Sequence, residues 1–515
     1  MRISRISAAA VLLLTAILAV TPRLTSRDRE YPPEVPAPKP VILALPEVRV
    51  LPNGLKVAVI ERHALPVLTL RLVVRAGAES DPPRFPGTAQ LVAGLLDEGT
   101  TSRSAQQIAA AIDQVGGTME TGAEWDDSYG SVSVLTDHIE LAFDLLSDLI
   151  IRPSFAPAEV ERGRKQALSS LEIMDEDPGY LADTVFAQLE LGGTPYGHPA
   201  DGTTQSVQQV SARELKEFHA RYYLPSRAIL AVVGDIKPED AFRLAQKFFG
   251  EWAASTPPSA ESGDATAGHA ESSSSTGAQK GGQSGATTTA SAPAAREIVV
   301  VDKPGAVQTE IRAGNLGISR DSPDYYALTV ANQILGGPAT NRLFKALRSE
   351  RGLTYGASSD LICLGAAGTW RAKTSTRTAE TVQSVELVLD QMKRLRDHSI
   401  SDWELQATQA YLAGHMALDF ETSEGIAAHT LDLLIHNLPL DYWNRFPQRI
   451  DALSTKEVWN ATRRRLDPDR ALVVLVGNAA DFQKDLQKLG PVRVIPLSHV
   501  DLGSANLEKA RAGGK

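Results

Sequence analysis

The chain has 515 residues, 43% of them hydrophobic, enough for more than one core and, by length alone, for roughly three or four units. Its net charge of −10, from 52 basic and 62 acidic residues, leaves no basic stripe for nucleic acid, and nothing in the sequence resembles a zinc finger or a phosphate loop. The single cysteine, Cys363, excludes an intrachain disulfide framework and lies in the apolar stretch LICLGAAG, where an inert buried thiol is expected rather than a nucleophile.

Arg2 and Arg5, followed by a run of small and apolar residues at 6–20, read as an export signal over residues 1–22. A helix of that run spans only about 22 Å, short of a bilayer. A cleaved signal peptide and a periplasmic or secreted chain are therefore expected, with an inner-membrane anchor as the alternative. No cysteine follows the run, which removes a lipoprotein anchor. Residues 23–47 form a spacer in which Pro32, Pro33, Pro36, Pro38, Pro40 and Pro46 favour extended chain.

The first half occupies residues 48–252. Residues 68–76, LTLRLVVRA, alternate as a strand and lead through a Pro-containing loop to the segment GTAQLVAGLLDEGT at 87–100. Apolar periodicity predicts helices over 105–115, 139–149, 158–173 and 241–249, and RAILAVVGD at 227–235 reads as a buried strand. From 253 to 297 there is no Leu, Ile, Val, Met, Phe, Tyr or Trp, so this stretch cannot bury enough apolar surface to order itself. It is read as a flexible linker whose ends, as a random coil, stand about 35–40 Å apart.

The second half, 298–500, is followed by a tail over 501–515. It repeats the first: TEIRAGNLGI at 309–318 is an alternating strand, helices are predicted over 382–395 and 403–415, and RALVVLVGN at 470–478 matches 227–235 at an offset of 243 (470 minus 227). Strands and helices alternate in each half, which predicts an α+β fold of helices layered on mostly antiparallel sheets.

Residues 87–100 are similar to the active-site helix of the pitrilysin/insulinase family of zinc metallopeptidases, whose motif H-x-x-E-H sits between two Gly-Thr pairs. In this chain Gln90, Leu91, Val92, Ala93 and Gly94 stand at those positions. In the family the two histidines, four apart on one helix face, hold zinc, and the glutamate takes a proton from the zinc-bound water. Gln90 is a poor zinc ligand, and Ala93 and Gly94 can neither ligate nor transfer protons. Aligning the next helix on Phe155, Val160 and Glu161 places Ser170 at the family's third ligand position and Gly163 at a supporting acidic position. Elsewhere the histidines offer no H-x-x-x-H or H-x-H pair. His429 and His436, seven apart, are expected to line a helix face, and Asp97 and Glu98 to end a helix in solvent, because carboxylates without imidazole or thiolate make a weak zinc site.

The second half keeps what the first lacks. ILGGPATNRLFKALRSERGLTYG, residues 334–356, resembles the C-terminal half of the same family, in which an Arg and a Tyr seven residues apart complete the active site; here they are Arg348 and Tyr355. Arg348 is expected to end a helix running from about Thr340, with Gly352 turning the chain before a strand near Leu353. Both side chains can donate hydrogen bonds to the oxyanion that forms when a peptide carbonyl is attacked. TPYGHPADGTTQSV at 194–207 and FHARYYLPSRAILAVVGD at 218–235 are further matches, with His198 read as structural and Tyr222 and Tyr223 as core aromatics.

The resemblance covers residues 48–494 and implies two homologous domains closing like a clam shell around a peptide-sized chamber. It is closest to the processing-peptidase-like branch, where some peptidases are heterodimers of a zinc-bearing subunit and a subunit carrying the Arg/Tyr pair. The chain is accordingly expected to hold no cofactor, to be inactive alone, and to pair with a zinc-bearing homologue in cleaving unfolded or extended peptides. The alternative is a non-catalytic peptide-binding or scaffold protein of the same fold.

Overall fold

Runs such as VLTLRLVV and AILAVVG can bury both faces only inside a sheet that is covered on both sides, and such a position is the one they occupy. The computed structural model describes residues 42–253, 294–338 and 340–509. The expected signal segment, residues 23–41 of the Pro-rich spacer, nearly all of the expected linker, and the last six residues lie outside them. Among the described residues no helix is long and apolar enough to cross a membrane.

Two six-stranded sheets form the framework. The first comprises β1 (Glu47–Val50), β2 (Lys56–Glu61), β3 (Val67–Val74), β4 (Thr118–Ala123), β5 (Ser128–Leu135) and β6 (Ala228–Gly234), in the order β1-β2-β6-β3-β5-β4. The second comprises β7 (Glu297–Asp302), β8 (Gln308–Leu316), β9 (Ala357–Cys363), β10 (Gly368–Arg377), β11 (Leu472–Gly477) and β12 (Val492–Pro496), in the order β12-β7-β11-β8-β10-β9. The orders coincide when β2, β6, β3, β5 and β4 are set against β7, β11, β8, β10 and β9. Antiparallel pairs dominate both sheets; β2 runs parallel to β6, and β7 parallel to both β11 and β12. The fold is therefore α+β with two homologous sheets.

The corresponding strands β6 and β11, one in each sheet, are buried at every residue and occupy equivalent places. Each ends in a glycine because its neighbour comes too close for a side chain. At Gly234, φ is +144° and a Cβ would fall 2.1 Å from the Val67 carbonyl oxygen; at Gly477 it would fall 2.5 Å from Thr309 Oγ1. The glycines in VVGD and VLVGN thus answer close approaches at equivalent places, from the Val67 backbone in the first half and from the Thr309 side chain in the second.

The predicted helices are present with ends shifted by a few residues: Ala105–Asp113, Ile139–Ile151, Pro157–Glu176, Pro238–Phe249, Thr381–Asp397 and Asp402–Asp419. Two helices cross between the halves. The first, α1 (Pro178–Glu190), belongs to the first half yet packs on β8 and β11, where Leu181, Ala182, Val185 and Phe186 share a core with Val299, Val301, Val474 and Val476. Its Asp183 receives Arg312 Nε at 2.7 Å and Arg371 Nη1 at 2.9 Å from the second sheet. The second, α2 (Ser423–Ile435), belongs to the second half and packs on β3 and β6. Its Glu424 accepts hydrogen bonds from Ser133 Oγ at 2.6 Å and Thr69 Oγ1 at 3.2 Å, and Arg75 Nη2 caps its C-terminal end at the Leu434 oxygen, 2.6 Å. Each half therefore completes the other's core. Leu502 and Leu507, beyond the expected end of the second half, join the α1 core.

Candidate functional site

The segment GTAQLVAG begins with a glycine that no other residue replaces easily. Gly87 has φ +89°, and a Cβ there would lie 2.7 Å from the Asp201 oxygen, so it seats the short helix Thr88–Ala93 against the 194–207 loop. Asp81 caps this helix, accepting from Gly87 N at 2.6 Å and Ala89 N at 2.8 Å. Burial pushes the Asp81 carboxyl up to about 7 against the pull of those amides, and burial likewise holds the adjacent Glu79 at about 7.

None of the positions aligned with a zinc ligand fits that role. The Gln90 amide is committed to the Ala123 oxygen, donating from Nε2 at 2.8 Å. Ala93 is fully buried, and Gly94 ends the helix. Ser170 is exposed on the helix Pro157–Glu176, and Gly163 on the same helix lies so close to Leu95 that a Cβ would meet its Cδ2 at 2.8 Å. Glu98 pairs with Arg162, and burial raises the Asp97 carboxyl. Among the described residues no group of three or more His, Cys, Asp or Glu side chains is placed to hold a metal ion.

The histidines set apart by spacing are packed into the protein. His429 lies between Phe420 and Trp443, with ring centres 4.6 and 4.8 Å away, and burial lowers its pKa. His436 Nε2 stands 3.6 Å from Asp432 Oδ1, whose partner carboxylate oxygen takes Arg320 Nη2 at 2.8 Å. His198 packs edge-on to Trp125, and Tyr223 is buried while Tyr222 packs beside the core. Burial pushes the Cys363 thiol up to about 12, which leaves little thiolate for nucleophilic chemistry.

Arg348 and Tyr355 meet. Asn341 starts the helix, its Oδ1 accepting from Phe344 N at 2.7 Å. One α-helical turn, Arg342–Phe344, passes into a π-helical turn, Lys345–Ser349, which carries Arg348. Gly352, at φ +63°, then reverses the chain. The strand expected near Leu353 begins four residues later, at Ala357. Thr354 Oγ1 contacts the Gly356 oxygen at 2.7 Å and accepts from its amide at 3.1 Å, a local turn that keeps Tyr355 out of the ladder.

The result is a guanidinium between two rings. Arg348 Cζ is 4.7 Å from the Phe344 ring centre and 4.8 Å from that of Tyr355. Tyr355 is 87% exposed and Arg348 is exposed as well. Among the described residues neither the guanidinium nor the Tyr355 hydroxyl has a hydrogen-bonded or ionic partner. Two donors thus stand together with their capacity unused. Phe344 was not singled out from the sequence, although its place one turn before Arg348 is the signal that would have found it.

A second feature was missed as well. The motif tyrosine Tyr196 donates to Asp126 Oδ1 at 2.6 Å and accepts from Ala366 N at 3.2 Å, while Asp126 Oδ2 accepts from Gly365 N at 2.9 Å. These two residues of the first half clasp the β9–β10 turn of the second. Burial is the main cause of the raised Tyr196 pKa, followed by the Asp126 hydrogen bond, so the phenol keeps its proton and the clasp.

Comparison with known proteins agrees with the two-part fold. The profile described as "Insulinase (Peptidase family M16)" matches residues 56–194, and that described as "Peptidase M16 inactive domain" matches residues 209–412. An uncharacterized zinc protease of Mycobacterium leprae is 28% identical over 380 residues, 72% of this chain and 78% of the relative. A non-peptidase homolog of Helicobacter pylori is 23% identical over 436 residues, 83% of this chain and 93% of the relative. The crystal structure of a peptidase M16 inactive domain from Pseudomonas fluorescens superposes with a TM-score of 0.74 at 27% identity, covering 84% of this chain and 98% of that one.

Proposed function

We propose that this chain, which belongs to the insulinase family of peptidases, peptidase family M16, is a non-metal subunit that lends Arg348 and Tyr355 to the active site of a zinc-bearing homologue. The observation that carries this reading is the exposed guanidinium over the Tyr355 ring, with both donors unengaged, in a chain whose Gln90, Ala93, Gly94 and Ser170 cannot hold zinc. A fixed guanidinium and a phenol aimed at a scissile carbonyl oxygen stabilise the charge that develops when the carbonyl is attacked. Neither can generate the attacking hydroxide, so zinc and activated water are the partner's contribution.

The joint activity is cleavage of extended or unfolded peptides in the periplasm, or outside the cell. That location rests on the signal-like residues 1–22; retention at the inner membrane by the same segment is the variant of it. The expected experiment is co-purification of the full chain with a zinc-bearing homologue, then a peptidase assay on an unfolded polypeptide. Hydrolysis by the mixture and none by this chain alone supports the reading. Chelator-sensitive hydrolysis by this chain alone removes it. A non-catalytic peptide-binding or scaffold role is a second reading, favoured by the likeness to a protein described as a non-peptidase homolog; it predicts a mixture no more active than the zinc-bearing partner.

A further inference from the structure

The π-helical turn that carries Arg348 also borders a groove of about 680 Å³, touching it at Lys345 and Ala346. Pockets of roughly 300–1,000 Å³ take small ligands or a few residues of a peptide. Two of the elements that line it face each other, the segment following Asn341 and the helix α3 (Asp402–Asp419), while the helices Tyr325–Gly336 and Thr381–Asp397 close the rest. The first two are tied to each other by Arg342, bidentate on Glu404 at 2.8 and 3.0 Å. Burial raises the Glu404 carboxyl, but hydrogen bonds from Arg342 and Ser401 outweigh it and hold the group at about 2. The clamp therefore stays ionised, and the groove is preformed rather than made by a ligand.

The α3 wall is unusual for a surface helix. Leu405, Gln409, Leu412 and Met416 form its buried face. Trp403, Ala407 and Tyr411, at four-residue spacing, form a second apolar face that lines the groove and is left in water, with Trp403 72% and Tyr411 40% exposed. Exposed aromatics in a concave site are the usual apolar contacts of a ligand.

His398 apart, the charges of the groove leave one cation over. Glu404 is matched by Arg342, Glu350 by Arg351 at 3.1 Å, and Arg394 by Asp390 at 2.8 Å. The Lys345 ammonium has no hydrogen-bonded or ionic partner among the described residues. One unmatched positive charge beside an aromatic wall is complementary to one carboxylate beside one large apolar group. A polypeptide offers those two on a single Cα only at its C-terminus.

We infer that this groove binds a free peptide C-terminus ending in a large apolar residue, with the α-carboxylate on Lys345 and the terminal side chain against Trp403 and Tyr411. The inference does not depend on the role of Arg348 and Tyr355, which take no part in the contact.

The test is isothermal titration calorimetry of the full chain with a short N-acetylated peptide ending in Phe, as the free acid and as the C-terminal amide. Saturable binding of the acid is expected, with the amide at least about tenfold weaker, because an ionic hydrogen bond is lost. Lys345→Ala should weaken the acid by a similar factor and leave the amide unchanged, whereas Trp403→Ala should weaken both; circular dichroism confirms that the variants fold. Lys345→Arg should keep the preference for the acid. No saturation by the acid up to millimolar concentration, equal affinity for acid and amide, or unchanged acid binding by Lys345→Ala would overturn the inference. So would equal binding of an amidated peptide with an internal Glu, which would assign the groove to acidic side chains instead.

Discussion

The Arg348 guanidinium stands 4.8 Å from the centre of the Tyr355 ring, seven residues along the chain and across the Gly352 turn. Stacking on a ring orients the planar fork of arginine, and a lysine ammonium cannot reproduce either the fork or the stacking. In the reconstituted pair Arg348→Ala is expected to lower turnover by about a hundredfold with assembly intact, the scale of one lost oxyanion donor. Arg348→Lys should recover only part of the loss. Steady-state kinetics beside size-exclusion chromatography checks this, and unchanged turnover removes the donor role.

Metal analysis of the purified chain should find far less than one zinc per molecule. Gln90 Nε2 is engaged with the Ala123 oxygen, and Ala93, Gly94 and exposed Ser170 add no nitrogen, thiolate or carboxylate donor. A stoichiometric zinc that survives chelation would contradict this expectation.

Asp183 joins the halves through charge. The Arg312 and Arg371 side chains are only 6% and 10% exposed, and both pair with it. Removing the carboxylate leaves two buried guanidinium groups with weaker compensation, since Arg312 keeps Glu310 at 2.9 Å and Arg371 keeps Asp360 at 3.7 Å and the Asp183 backbone oxygen at 3.4 Å. Asp183→Ala is expected to destabilise the chain by about 3–5 kcal/mol, read as a lower midpoint in urea denaturation. Asp183→Asn, which keeps one acceptor, should fall between the two.

Stability should depend on pH through the buried carboxyls beside the Thr88–Ala93 helix. Burial raises Glu79 from 4.5 to about 7, so the folded state holds its proton where the unfolded chain has lost it. The stability this group contributes is full below about 4.5 and is lost as pH rises to about 7. Glu79→Gln, uncharged throughout, should flatten that decline. Thermal melts of both proteins between pH 4 and 8, with expected curves that diverge on the alkaline side, measure it; parallel curves would show that Glu79 titrates normally.

Much of the architecture is local enough to be read from the chain. Apolar alternation and periodicity marked β3, β6, β8 and β11 and six helices, and the repeated strand at an offset of 243 announced two related halves. The empty zinc positions were equally plain, because a side chain that lacks a donor atom lacks it in any fold. The late start of β9 was not legible, since it depends on which groups Thr354 finds within reach.

Other features exist only in the folded chain. That α1 would pack on the second sheet and α2 on the first, that Asp183 would meet two arginines from β8 and β10, and that Tyr196 would clasp the β9–β10 turn follow from contacts between residues more than a hundred positions apart. Periodicity states that a face is apolar but not which face it meets, because burial energy is non-directional and the partner is chosen by the shape of the whole. The sequence by itself therefore determined that Gln90, Ala93, Gly94 and Ser170 stand where the family has its zinc site and that an Arg and a Tyr lie seven apart; the tertiary structure decided that Arg348 and Tyr355 stand together, with Phe344 behind the guanidinium and the hydroxyl open to solvent.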